Sequence, residues 1–147
     1  MSSHVYHEVF LHLNWHTKES SPMLTPDVEE MAYAVIRRKC QTVPGVHLHR
    51  IGGTETHVHL AVDIEPHVTI SDLVQELKGA SSHEINQRRG GKALLWQRGY
   101  GVVSFGQAQL PWVLEYIAHQ REHHATGRVQ DRLERREPLD DPSEKPA

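Results

Sequence analysis

His57-Val58-His59 sets two imidazoles two residues apart, and Tyr116 with Gln120 sets a phenol and an amide one helical turn apart. Imidazole nitrogens and an amide oxygen can hold a divalent cation, and a phenol beside that cation can attack a phosphodiester. From Thr56 to Ile64 the even positions Val58, Leu60, Val62 and Ile64 are apolar, while the odd positions are His57, His59, Ala61 and Asp63. That period of two marks a half-buried strand. Both histidines then leave one face with their Cα atoms about 6.5–7 Å apart, which lets the rings converge on one ion at about 2.0–2.2 Å. Taken alone, the same pattern also describes a solvated sheet face in a chain that carries 13 histidines.

Between Gln109 and His124, Leu110, Val113, Leu114 and Ile117 recur at helical spacing and form a core stripe. Tyr116 and Gln120 lie off that stripe, on one face, with Trp112 a turn earlier and His119 and His123 nearby. By themselves they read as a boundary tyrosine and a solvated amide. The histidine pair is what makes them candidates for a site.

The elements that must position these groups follow from periodicity and punctuation. Val5, Val9, Leu11, Leu13 and Trp15 alternate along a first strand. Thr25-Pro26 supplies an N-cap and a first-turn proline for a helix whose stripe is Val28, Met31, Ala32, Val35, Ile36 and Cys40, ended by Pro44-Gly45. Val46 to Ile51 and Thr56 to Ile64 flank Gly52-Gly53 as a hairpin. Thr69 with Asp72 caps a second helix with the stripe Ile70, Leu73, Val74, Leu77 and Ile85, and Gly90-Gly91 stops it. A fourth strand near Tyr100 to Phe105 precedes the tyrosine helix. The order β-α-β-β-α-β is an α+β, ferredoxin-like split arrangement with an antiparallel sheet and an extra C-terminal helix. Its two crossover helices cover the face of Val58 and Leu60, leaving His57 and His59 on the face that the last helix can meet.

Length and composition agree with one domain. The chain has 147 residues and a single cysteine, Cys40, which excludes an intrachain disulfide and suits a reducing compartment. No apolar run approaches a membrane span and Met1 to His7 lacks a signal-peptide core, so the expected location is the cytoplasm. Residues 129–147 hold six acids and four bases of a chain with net charge −3, leaving residues 1–128 near neutral with 13 acids and 12 bases. Nucleic-acid binding would therefore rest on local clusters: Arg37-Arg38-Lys39, Arg88-Arg89 with Lys92, and Lys78 with Arg98, each of which also reads as a solvated helix face. The expected division is a folded domain over 1–128 and a charged tail over 129–147, with three prolines, that frays beyond Glu137.

The chain resembles the single-tyrosine HUH transposases of minimal bacterial insertion sequences and their chromosomal relatives, the repeat-associated tyrosine transposases. The resemblance rests on Tyr6-His7, on Thr54 to Ile64, and on Ile70 to Ser82 with Leu77-Lys78-Gly79-Ala80-Ser81-Ser82. It continues through Trp96 to Ser104 with Gly99-Tyr100-Gly101, and through Tyr116-Ile117-Ala118-His119-Gln120 followed by Arg121-Glu122-His123-His124. It covers about residues 4 to 125. The family often has aspartate before the first histidine; here that position is Thr56.

The resemblance implies a single-strand DNA transposase. Tyr116 would be the nucleophile that forms a 5′-phosphotyrosine and frees a 3′-OH. His57, His59 and Gln120 would hold Mg²⁺ or Mn²⁺, with His119 or His123 as an assisting base. The partners implied are single-stranded DNA with hairpins, contacted by Lys78, Arg88, Arg89, Lys92 and Arg98, and a second copy of the chain sharing the site, for which the fourth strand offers an edge. Three other readings stay open on the residues alone: a domesticated repeat-processing endonuclease, a metal hydrolase that needs no tyrosine, and a hairpin-binding module without chemistry.

Overall fold

A computed structural model describes residues 4–135. Alternation of apolar and polar residues builds β1 (Phe10–His16), β2 (Val46–Gly53), β3 (His57–Ile64) and β4 (Gly101–Phe105); helical spacing builds α1 (Pro26–Thr42) and α2 (Ile70–Arg89). The sheet runs in the order β2-β3-β1-β4 with every neighbouring pair antiparallel, the ferredoxin-like arrangement expected from the element order. Leu11, Leu13 and Trp15 on β1 and Val58, Leu60 and Val62 on β3 face α1 and α2, where they pack with Ile36, Cys40, Leu73, Val74 and Leu77. Gly90 ends α2 in a left-handed conformation, φ 70°, which explains a glycine there.

Three local expectations are corrected. Strand β1 begins at Phe10 and not at Val5, because its pairing with β3 ends at Phe10–Asp63, and Val5 and Tyr6 are exposed. Thr25 and Thr69 occupy the N-cap positions, yet neither hydroxyl caps its helix. The tyrosine helix is not continuous. A 3₁₀ turn at Gln107–Gln109 leads into α3 (Leu110–Ala118), which breaks at His119 (φ −117°, ψ 35°) before α4 (Gln120–Thr126). At the break the side-chain Nε2 of Gln120 donates to the Tyr116 carbonyl at 3.2 Å, so an amide side chain serves a carbonyl at the end of α3.

Helix α3 closes the second face of the sheet, with Val113 and Ile117 against Ala61 and Phe105. It sits on β2 without an intervening side chain: a Cβ at Gly52 would overlap the Ile117 carbonyl oxygen, so only glycine fits this approach. Strand β3 is therefore buried on both faces, not half-buried as its alternation suggested.

Residues 129–135 return to the sheet through α5 (Asp131–Glu134). Leu133 is buried, Asn14 Nδ2 donates to the carbonyls of Leu133 (2.9 Å) and Arg135 (3.0 Å), and Arg132 donates to the Ser104 carbonyl on β4 at 2.6 Å. The fraying expected beyond Glu137 lies outside the described residues. A Cβ at Gly101 would overlap the Arg135 carbonyl oxygen and crowd Asn14 Nδ2. Gly101→Ala is accordingly expected to undock residues 129–135 while leaving the sheet folded. Hydrogen exchange should show lost protection confined to this segment, and unchanged protection there would contradict the packing.

Candidate active site and metal centre

The same alternation that sends Leu11, Leu13 and Trp15 into the core sends His12, Asn14 and His16 to the other face of β1. In the antiparallel register Asn14 stands opposite His59 and His16 opposite His57. A polar column thus runs across the middle of the sheet beneath α3 and α4. His57 and His59 are 3% and 0% exposed, Tyr116 2% and Gln120 1%. The placement of Tyr116 and Gln120 off the core stripe is corrected: the buried side of the broken helix is Val113, Tyr116, Ile117 and Gln120, while Leu114 is only half-buried.

Each histidine is held from behind. The hydroxyls of Thr54 and Thr56 both lie 3.0 Å from His57 Nδ1, so Thr56 supplies a contact to the ring where the family often has aspartate. His59 Nδ1 lies 2.8 Å from His12 Nε2. Both Nε2 atoms turn toward α4 and α5, where two residues missed by the sequence reading join them. His124 Nε2 is 3.1 Å from His57 Nε2 and 3.2 Å from Gln120 Oε1. Glu134 Oε1 is 3.5 Å from His57 Nε2, 3.2 Å from His59 Nε2 and 3.4 Å from His124 Nε2. One ligand atom from each of His57, His59, His124 and Glu134 lies within 4.8 Å of the others.

This donor set fits a divalent cation. Nitrogen and oxygen lone pairs converge on one point with few protons to share, and His59 Nε2 is buried without a hydrogen-bond partner despite its approach to Glu134. His124 was legible in the sequence, four residues past Gln120 on the same helical face. Glu134 was not, since nothing local ties a tail residue to a strand.

Tyr116 stands beside this cluster in the same chain. Its hydroxyl donates to Glu134 Oε2 and accepts from the Gln130 backbone N–H at 2.9 Å. Its ring meets His59 edge-on at 6.1 Å and stacks between Trp112 at 5.5 Å and His123 at 4.8 Å. Of the two bases suggested from sequence, His123 adjoins the Tyr116 ring, whereas His119 is exposed and turned to Glu115. Burial pushes the Tyr116 phenol up to about 12, and Glu134 adds to this against the Gln130 N–H. For Glu134, burial acts upward, but His59, Tyr116 and His57 outweigh it and hold the carboxyl at about 2.

The five basic residues nominated for DNA are engaged differently. Lys78 donates to the carbonyls of Gln97 (2.7 Å) and Gly99 (3.0 Å); Arg88 pairs with Glu84 and Arg89 with Asp27, and these two arginines are exposed, as are Lys92 and Arg98.

Burial and the neighbouring His59 lower both His12 and His57 to about 3, against about 6.5 in an unfolded chain. On acidification the unfolded state therefore takes up protons first. The stability these rings contribute is complete above pH 6.5 and is lost progressively as pH falls toward 3. The metal-free protein should lose on the order of a few kcal/mol between pH 7 and pH 4 in urea titrations; a flat profile would show that these rings are not held neutral.

A split antiparallel sheet with paired histidines on a central strand and a tyrosine helix laid across them is the fold class that the sequence resemblance implied. The chain belongs to the IS200-like transposase family, whose model matches residues 5–120. Its fold is similar to that of a candidate transposase from Deinococcus radiodurans R1, with 24% identity, a TM-score of 0.63, and coverage of 82% of this chain and 96% of that one. It is also similar to a REP-associated tyrosine transposase solved bound to a REP hairpin, with 16% identity, a TM-score of 0.61, and coverage of 88% and 76%. No curated protein matches the chain. No described helix is long and apolar enough to cross a membrane.

Proposed function

We propose that this transposase cuts and rejoins single-stranded DNA next to a hairpin, using Tyr116 as nucleophile. The observation that carries the reading is the Glu134 carboxylate, which spans the site with one oxygen on the Tyr116 hydroxyl and the other among His57, His59 and His124. A phosphodiester is likewise an anion with several oxygens, and it could span the same groups.

His57, His59 and His124 would hold the cation, with Gln120 Oε1 or Glu134 completing the set. A bound cation would supply Lewis-acid polarisation of the scissile phosphate. Of Mg²⁺ and Mn²⁺, the imidazole-rich set favours Mn²⁺. Tyr116 Oη attacks phosphorus as the P–O3′ bond breaks; the phenol proton leaves to a base or to water, and the 3′ oxygen departs as a hydroxyl. The phosphotyrosine keeps the bond energy for rejoining. Glu134 must release the hydroxyl first, because a phenol near 12 beside a carboxylate near 2 stays protonated.

Two features support a single strand as substrate. Trp112 is half exposed and stacked on Tyr116, a flat surface for an unpaired base. The buried hydroxyl can be reached only by a flexible backbone. Hairpin recognition follows the family resemblance, with Arg88, Arg89, Lys92 and Arg98 as exposed contacts. We also keep the homodimer as a reading. It would pair the β4 edge with a second copy, and would compete with Arg132 for the Ser104 carbonyl. The meeting of Tyr116 with its own chain's histidines supports a site built within one chain.

The test is a labelled oligonucleotide carrying a hairpin and a single-stranded flank, incubated with Mn²⁺. The flank should be cut and a denaturant-resistant adduct should map to Tyr116, whereas a perfect duplex of the same sequence should remain whole. Equal cutting of the duplex, or an adduct on Tyr100, would refute the proposal.

A further inference from the structure

His12 is fully buried on the site face of β1, opposite Ala61 and Val103 in the two flanking strands. Neither partner offers its ring a polar group, and a leucine could fill such a position without the cost of burying an imidazole. The ring instead meets His59, with Nε2 2.8 Å from His59 Nδ1 and the ring centroids 4.8 Å apart. His12 Nδ1 has no hydrogen-bond partner, so the contact with His59 is the polar contact this ring makes among the described residues.

One proton lies between two nitrogens, and its position decides what His59 offers the site. If His59 Nδ1 carries it, Nε2 is left with a lone pair aimed at His57, His124 and Glu134. If His12 Nε2 carries it, His59 must be protonated on Nε2, which then faces Glu134 Oε1 at 3.2 Å and offers a cation no lone pair. The first arrangement leaves neutral His12 with its one ring proton on Nδ1.

We infer that His12 is a positioning residue for the proposed metal centre: its Nε2 accepts the Nδ1–H of His59 and so holds the His59 Nε2 lone pair toward the cation. The inference rests on the metal-site reading above and deepens it. It assigns His12 the part that Thr54 and Thr56 play for His57.

Two measurements on the full chain test it. Calorimetric titration with Mn²⁺ should show His12→Leu binding roughly 10–100-fold more weakly than wild type, the usual loss when a ligand's outer partner is removed. His12→Gln, whose side-chain oxygen can still accept from His59, should recover most of the affinity. Long-range ¹⁵N–¹H spectra of the wild type loaded with diamagnetic Mg²⁺ should show His59 protonated at Nδ1 and bare of protons at Nε2. Unchanged affinity in a folded His12→Leu protein would overturn the inference. So would a His59 proton on Nε2 in the spectra, which need no variant to fold. If wild type binds neither Mn²⁺ nor Mg²⁺, the metal reading fails, and the presence or absence of a His59 Nδ1–H in the metal-free spectra decides the hydrogen bond.

Discussion

Tyr116→Phe should reduce the covalent adduct with single-stranded DNA to background, a loss of roughly four orders of magnitude or more for removing a nucleophile. Phenylalanine keeps the ring between Trp112 and His123 and its edge contact with His59. What goes is the oxygen, together with the hydrogen bonds to the Gln130 N–H and to Glu134. Those bonds tie residues 129–135 to α3, and losing them should cost about 1–3 kcal/mol, felt as faster hydrogen exchange in that segment and not as unfolding of the sheet. The same variant separates the rival readings. A metal hydrolase would keep most of its turnover, and a hairpin-binding module would show no chemistry in either form. Cutting by Tyr116→Phe at the wild-type rate would therefore remove the tyrosine from the mechanism.

Loss of the metal centre should be as complete, by a different route. His57→Ala and His59→Ala each delete one converging nitrogen, and each should weaken Mn²⁺ binding in calorimetry by on the order of 100-fold, since each ligand carries a sizeable share of the binding free energy. His124→Ala should behave alike, because its Nε2 lies within 3.1 Å of His57 Nε2. DNA-hairpin binding should persist in all three, as it depends on phosphate and base contacts elsewhere. Wild-type Mn²⁺ affinity in both His57→Ala and His59→Ala would show that the pair is structural.

Much of this was legible in the residues. The alternation of Val58, Leu60, Val62 and Ile64, the helical stripes and the punctuation at Pro44-Gly45 and Gly90-Gly91 are local signals. They set the element order, and the element order constrains the sheet to one antiparallel arrangement. His57, His59, Tyr116 and Gln120 were likewise readable as pairs, since two residues on a strand or four on a helix fix a shared face. Their meeting was expected from the topology, and the structure brings them together.

What tertiary structure decided is everything that depends on contacts distant in sequence. Burial of Tyr116 and Gln120 depends on how α3 lies against the sheet, where its backbone approaches Gly52 closely. The break at His119 depends on Gln120 turning inward. Periodicity along one strand cannot show that His12 lies behind His59, because that needs the register of β1 against β3. Least legible was Glu134. A charged tail rich in proline reads as solvated, and only the docking of Leu133 under Asn14 carries its carboxylate to the histidines. Local pattern reports which way a side chain leaves its own element; which element it then meets is settled by how the whole chain packs.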